Sequence, residues 1–444
     1  MENQGIIGPS LGRGSFENWA SKISKKEIVL HVVAVITIIG LVFAGGGGGV
    51  LSVLGASFTF TQTSWSGGAT STTTGHPPAS WSYFESLSNI AAASGSLTLA
   101  TTSDSLSART DVTSNWPTSA TIGLNSQRSI AVSSSGVVHV VYASYEYRGG
   151  AMNIAYRNSA NWSNRVDVTT STSGNSYFPS ITISSSGIVH VAYYSNEYNA
   201  SYSNIAYRSS ADNWASRTDV TTNTDRSSTN PSILLDSSGI IHVAYVSREY
   251  SSSYDNIAYR NSSNWSSKTN VTANTSGWAR YPSVTVDSSS TVHVAYHSRE
   301  YNTSYDNVAY RNSTNWSNRV DVTTSTTGRA EYPSITVDSS STVYIVYDSL
   351  EYAGYTNIAY RNSTNWSNRV DVTTSTDRSS INPSVIVDSS STVHISYHSN
   401  EYAGTRYNVA YRNSTNWSNR VDVTTSTSIN SYDPSIAVDY SGVV

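Results

Sequence analysis

The sequence contains no cysteine, which removes disulfides, thiolate metal sites and thiol nucleophiles together. It is also poor in charge: 13% of residues are Asp, Glu, Lys or Arg, and the formal net charge is -4. No basic field exists to hold nucleic acid, and no acidic tail to attract a basic partner. Long apolar runs are absent but for one, which excludes a bundle of membrane spans, while 38% hydrophobic residues over 444 positions suffice for a folded body. Stability must therefore come from packing, which a repeat protein with a continuous core can supply without staples.

The one apolar run is Ile28 to Ala44, broken only by His31, Thr37 and Gly40. Seventeen residues is the short edge of a membrane span. Arg13, Lys22, Lys25 and Lys26 precede it, and Lys268 is the only other lysine, so the asymmetry predicts an inside amino terminus and an outside remainder. Val42 and Ala44 also fit a cleavage site after Ala44, so a cleaved signal peptide competes with a retained signal anchor. Either places the rest of the chain outside the cytoplasm, on a cell membrane or secreted. The expected organisation is a cytoplasmic segment over 1–27, the span over 28–44, a Gly/Ser/Thr-rich linker over 45–95, and a repeat domain over 96–444.

The repeat is what fills the sequence. Asn-(Ile/Val)-Ala-Tyr-Arg begins at Asn153, Asn204, Asn256, Asn307, Asn357 and Asn408, at spacings of 51, 52, 51, 50 and 51. A period this regular means one supersecondary unit per copy. In the copy from Pro282, an alternating strand ends at Asp287-Ser-Ser-Ser. A second strand follows from Thr291, a third from Asn307 and a fourth after Trp316. Four short strands per copy predict an all-β propeller, in which radial packing protects the sheet edges.

The ends of the array suggest how it closes. Ser107 to Thr113 matches a fourth-strand segment and Ser96 to Thr102 can supply a third, while Pro434 to Val444 matches the first strand and the start of the second. Joined, they predict a seventh, split blade, hence a seven-bladed β-propeller of four-stranded blades preceded by the membrane helix or signal.

Each copy carries Glu-Tyr just after its second strand: Glu146, Glu197, Glu249-Tyr250, Glu300-Tyr301, Glu351 and Glu401. That loop falls on the same face as the blade-to-blade connections, which contain Arg226, Arg280, Arg329 and Arg378, with Arg128 at the start of the first copy. Carboxylates, guanidiniums and phenol rings on one rim suit hydroxyl-rich or acidic sugars. The same pattern also fits Glu paired with a local Arg and Tyr sealing a loop, since near-identical copies repeat structural residues too.

The frame Pro-Ser-Ile-x-Val-Asp-Ser-Ser-Gly-x-Val-His-Val-x-Tyr, followed by Asn-Ile-Ala-Tyr-Arg-Asn-Ser-x-Asn-Trp-Ser, resembles the sialidase-like propellers built from BNR or Asp-box repeats. Asn312-Ser-Thr-Asn-Trp316 keeps the tryptophan of that box and lacks its Asp and Gly. The resemblance implies a propeller and a superfamily of glycosidases, lyases, lectins and scaffolds. A site of sialidase type would need three arginines from different blades with a Tyr-Glu pair, and Arg128 stands where such enzymes carry the first of them. The remaining roles find no singular residue in so uniform a ring, which argues against an enzyme.

The histidines His139, His190, His242, His293 and His394 recur at one strand position, with Tyr344 as the sixth, too far apart for one metal ion; they read as packing, and no metal or cofactor is implied. The tryptophans Trp162, Trp214, Trp265, Trp316, Trp366 and Trp417 read as core between blades. Glycosylation sequons stand in the turns at Asn161, Asn261, Asn264, Asn312, Asn315, Asn362, Asn365, Asn413 and Asn416. The expected function is a membrane-tethered extracellular binding protein for a glycan or cell-surface partner, acting through repeated sites. A glycoside hydrolase or polysaccharide lyase and a structural surface coat are the alternatives.

Overall fold

A computed structural model describes residues 129–147, 150–351, 354–402, 404–428, 430–439 and 441–444, together with 57–61, 90–93, 96–100, 112 and 120–121. The chain divides into two compact units, Met1–Ser107 and Ala108–Val444. The expected span over 28–44 lies outside the described residues, among which no helix is long and apolar enough to cross a membrane.

In the first unit, β1 (Ser57–Thr61), β2 (Ile90–Ala93) and β3 (Ser96–Ala100) form an antiparallel sheet in the order β1-β3-β2. Two of these strands fall within the stretch read as linker.

The second unit is a six-bladed β-propeller. Its first blade contains β4 (Ala120–Thr121), β5 (Ile130–Val132), β6 (Val138–Ser144), β7 (Asn153–Asn158) and β8 (Val166–Asp167), where β4 and β5 are two pieces of one inner strand paired to β6. Blades 2 to 6 are four-stranded meanders whose first strands are Ser176–Ile183, Ser228–Leu235, Ala279–Val286, Ala330–Val337 and Ser380–Val387. First strands contact first strands around the ring, so they line its centre.

The expected seventh blade does not form. It required Ser96–Thr102 to pair with the carboxy-terminal segment, but β3 is a middle strand whose two edges are already hydrogen-bonded to β1 and β2. Within 434–444 the described residues form no strand. The segment instead bridges blade 6 to blade 1: the Ile436 N–H donates to Ser384 Oγ at 3.3 Å, and the Ser129 N–H to Ser435 Oγ at 3.2 Å. The same link joins successive blades elsewhere, as in Val284 N–H to Ser232 Oγ and Ile335 N–H to Ser283 Oγ, both 3.2 Å. This is why Pro-Ser recurs at the heart of each first strand.

The other repeated residues are structural in plain view. Asn307 is fully satisfied in the core: its amide donates to the carbonyls of Tyr305 and Ser325, and its oxygen accepts from Thr323 Oγ1 and the Ser325 N–H. Asp287 closes the first hairpin by accepting the Ser289 and Thr291 N–H groups. Trp214, Trp265, Trp316, Trp366 and Trp417 each pack on a tyrosine of the preceding blade, with Tyr259–Trp316 centroids 5.6 Å apart and Tyr310–Trp366 5.3 Å. The histidines stack on and bond the same tyrosines, His293 Nδ1 lying 2.6 Å from Tyr310 Oη. Tyr344, in the histidine position of blade 5, instead donates to Asp338.

Candidate functional site

The glutamates of the expected rim turn inward. Each backbone N–H donates to the serine hydroxyl two residues back, as at Glu300 and Ser298, 3.0 Å. That turn folds the carboxylate down onto the blade. Glu146 meets Arg165 at 3.2 Å, Glu197 meets Arg217 at 3.0 Å, and Glu249 meets Lys268 at 3.0 Å. Glu300 meets Arg311 at 3.2 Å, Glu351 meets Arg369 at 2.8 Å, and Glu401 meets Arg420 at 2.7 Å. Beneath them, a buried tyrosine hydroxyl such as that of Tyr296 accepts from Arg311 Nε and donates to Glu300. Burial pushes Glu249 up, but the Asn223 amide, Lys268 and Arg260 outweigh it and leave the carboxyl below the ordinary range. The tyrosines go the other way: Tyr198, Tyr250, Tyr301 and Tyr402 are 42 to 46% exposed. In these four copies the Glu-Tyr pair is thus split, one member sealing the blade and the other in water.

The arginines separate as well. Arg226 and Arg378 stand in blade connections beside Asp225 and Asp377. Arg280 lies on the first strand of blade 4 against Asp255 at 2.5 Å, and Arg329 precedes blade 5 and meets Glu331 at 3.3 Å. Arg128 lies outside the described residues.

A second set of residues, on the same face but nearer the centre, was not singled out from the repeat. The residue before each first-strand proline has positive φ and sits in a bulge of the first strand: Phe178 (48°), Asn230 (52°), Tyr281 (51°), Tyr332 (50°) and Asn382 (54°), with Asp433 (51°) as the counterpart in the tail. Bulky side chains in this region cost on the order of 1–3 kcal/mol each, and such strain concentrates at functional sites. The bulge throws the side chains sideways toward neighbouring blades, so that Tyr281 meets Tyr332 at 5.0 Å and Asn382 donates to Asp433 at 2.7 Å. In a chain whose copies are nearly identical, this position changes from blade to blade. So do its neighbour on the first strand and the second-strand residue opposite that neighbour.

Blades 4 and 5 hold the richest part of this annulus. His297 is buried against Trp278, Tyr281 and Tyr332, at centroid distances of 5.0, 4.8 and 5.7 Å. Neither of its ring nitrogens has a hydrogen-bond partner, and burial drives it down to about 3, so it is neutral. Arg280 and Arg299 lie over the Trp278 ring at 4.5 and 4.8 Å, and Arg299 also binds Asp306 at 3.0 Å. Glu331 stands opposite Asp348 on the paired strands of blade 5. Burial, then the hydrogen bond and charge of Asp306, push Glu331 up to about 7 against the pull of Arg329. Burial and the Glu331 charge raise Asp348 well above the carboxylate range. The cluster therefore holds a carboxyl proton near neutrality beside guanidiniums and half-buried aromatic rings. Among the described residues, no three His, Cys, Asp or Glu side chains are grouped so as to hold a metal ion.

On the turns between third and fourth strands, Asn161, Asn264, Asn315, Asn365 and Asn416 are exposed, while Asn261, Asn312, Asn362 and Asn413 are half-buried.

No protein-family model matches the chain, and no curated protein matches it. Solved structures do. A protein of unknown function from Dyadobacter fermentans is 11% identical, with 63% of this chain and 93% of that one covered and a TM-score of 0.44. A polysaccharide lyase, ulvan lyase, is 11% identical over 68% of this chain and 83% of its own, at 0.47. An α-L-arabinofuranosidase from Fusarium graminearum is 10% identical over 66% and 97%, at 0.41. At these values the blade count and the site rest on this chain's own geometry.

Proposed function

We propose that this protein is a glycan-binding β-propeller, held on the outer side of a membrane by the apolar run of residues 28–44, whose recognition site is the non-repeating cluster of blades 4 and 5. The observation that carries the reading is the convergence of Trp278, Arg280, Tyr281, Arg299, Glu331 and Tyr332 at one place in a ring otherwise built of copies. Sugars are bound by ring stacking on an aromatic face combined with charged hydrogen-bonding groups at the ring's edge, and this cluster offers both. The exposed tyrosines of the Glu-Tyr loops extend the same face outward, which suits a polymeric target. The sialidase-like frame of the repeat agrees with a carbohydrate ligand.

The test is a glycan array probed with the full chain and with Trp278→Ala. Selective binding that falls at least tenfold in the variant supports the reading, and an array without hits defeats it.

One observation favours glycoside hydrolysis as a second reading: Glu331 keeps a proton near neutrality, as a general acid must. Incubating array hits with the protein and looking for new reducing ends, lost in Glu331→Gln, separates hydrolysis from binding.

A further inference from the structure

The blade-to-blade connections come in two designs. In blades 2, 4 and 5 they contain Gly174, Gly277 and Gly328, and a Cβ on any of these would lie 2.9 to 3.2 Å from the backbone of the loop after the second strand. Those two loops are therefore closed onto one another. In blades 3 and 6 the same place is held by Arg226 and Arg378, each within Thr-Asp-Arg-Ser-Ser. The backbone link between the two loops is kept but longer, Arg248 N–H to the Ser227 carbonyl at 3.3 Å and Asn400 N–H to the Ser379 carbonyl at 3.2 Å, against 2.9 to 3.0 Å in blades 2, 4 and 5. Beside Arg378 in blade 6 is an open cleft of about 420 Å³, within the size range of small-molecule sites, lined by Asp377, Arg378, Glu401, Arg412 and Arg420 among others. Gly404, at φ +67°, lies against it with its Cβ position 3.3 Å from Arg378 Nη2, so any larger residue there would press on the guanidinium.

Blade 3 repeats the parts: Asp225, Arg226, Glu249, Arg260 and Lys268 stand where blade 6 has Asp377, Arg378, Glu401, Arg412 and Arg420. The exposures of the first pair are also similar. The aspartates are 72 and 71% exposed, the arginines 33 and 40%. Three steps apart in a six-bladed ring, the two sites lie on opposite sides of it.

We infer that these connections form a pair of sugar-binding subsites, each taking the vicinal hydroxyls of a neutral sugar ring, separate from the cluster of blades 4 and 5. Arg412 is engaged below by Tyr397 Oη and the Trp417 carbonyl, and Arg420 by Glu401 and Asp422. These groups form the floor. What faces the cleft is Arg378, whose Nη1 donates to the Asp377 carbonyl at 2.9 Å and lies 3.6 Å from its carboxylate, and that exposed carboxylate, which accepts from Ser375 Oγ at 3.2 Å. A guanidinium donating to one hydroxyl oxygen and a carboxylate accepting from the neighbouring hydroxyl is the complement of a diol. Two such subsites across one ring would engage a branched or multivalent glycan at two points, with avidity beyond either alone.

The experiment titrates the full chain with the methyl glycosides of mannose, glucose and galactose, read by saturation-transfer NMR and by binding stoichiometry. Native protein should bind one of them at two equivalent sites. Arg226→Gly and Arg378→Gly should each remove one site, and the double variant both. Glycine is what the chain itself carries in blades 2, 4 and 5, so these variants should fold, which thermal melting verifies. Trp278→Ala should leave the two sites intact, which separates this inference from the fate of the central cluster. Binding of none of the three glycosides, binding unchanged in the double variant, or arginine-dependent binding of inorganic sulfate alone would each overturn it.

Discussion

Glu331 and Asp348 face one another across the first two strands of blade 5, two carboxyl groups at directly opposed positions of an antiparallel pair. Like charges there are destabilising, and the fold tolerates the pair because it is protonated in part. Burial and Asp306 raise Glu331 to about 7 from an ordinary value near 4.5. A carboxyl raised in the folded state contributes stability that is fully present below its unfolded pKa and is lost as pH climbs through the folded one. Stability should therefore fall between about pH 4.5 and 7 by an amount on the order of 3 kcal/mol at most, and Glu331→Gln should flatten that slope. Urea melts across this window test it; an identical slope in the variant would assign the loss elsewhere.

His297 and His398 work in the opposite direction. Burial lowers them to about 3 and about 4. Groups whose charged form is disfavoured in the fold stabilise it above their unfolded pKa near 6.5, and this is lost as pH falls toward the folded values. Replacing both with phenylalanine should widen the acid limb of the stability profile, measured by thermal melting from pH 6.5 down to 3. A profile unmoved by the double change would rule out these two histidines as the cause.

Much of this architecture is legible in the repeat. The alternation before Asp287 and the Ser-rich turn mark the first hairpin, and the 52-residue spacing in the second copy is one extra residue taken up in a 3-10 turn at Ser210–Asp212. The blade count was not legible, because Ser96–Ala100 has the pattern of any short strand. Its partners lie in a Gly/Ser/Thr-rich stretch whose strands carry little signal of their own. The cluster of blades 4 and 5 was not legible for a related reason. Repetition drew attention to Glu-Tyr, whose glutamates recur because in every blade they form an ion pair over a buried tyrosine. The signal for the annulus was the reverse: the residues before Pro179, Pro231, Pro282, Pro333 and Pro383 change while the Pro-Ser that follows them does not.

Closure of the ring by the tail predicts a specific weakness. Deleting residues 431–444 removes the bonds Ile436 to Ser384 and Ser435 to Ser129, and exposes the inner strands of blades 6 and 1. The truncated chain should melt several degrees lower and exchange amide hydrogens first in Ile130–Val132 and Ser380–Val387. Uniform exchange throughout the ring would show that the tail is an accessory.

The tandem sequons should not be used equally. Asn315, Asn365 and Asn416 are exposed, with the side-chain oxygen accepting the N–H two residues on, at 2.9 to 3.0 Å. Asn312 and Asn413 instead donate Nδ2 to Tyr310 and Tyr411 at 3.1 Å, so a glycan on that nitrogen would crowd the tyrosine against which the next blade packs. In material from cells that N-glycosylate, glycopeptide mapping should find occupancy at the second asparagine of each pair and not the first. Occupancy at Asn312 in folded protein would contradict this packing argument.

Tyr281 offers the sharpest separation of function from fold. Its φ of 51° is unfavourable for a large side chain, whereas asparagine tolerates this region and stands at the same place in blades 3 and 6 as Asn230 and Asn382. Tyr281→Asn should therefore relieve backbone strain of about 1 kcal/mol, offsetting the lost ring contacts with His297 and Tyr332, and leave the melting temperature within a few degrees. Glycan binding should fall at least tenfold, since the ring closes one side of the cluster. A residue kept against its own backbone preference, at no gain in stability, is being kept for a ligand. If the variant instead lost stability and retained binding, the tyrosine would be a packing residue and the strain would belong to the ring.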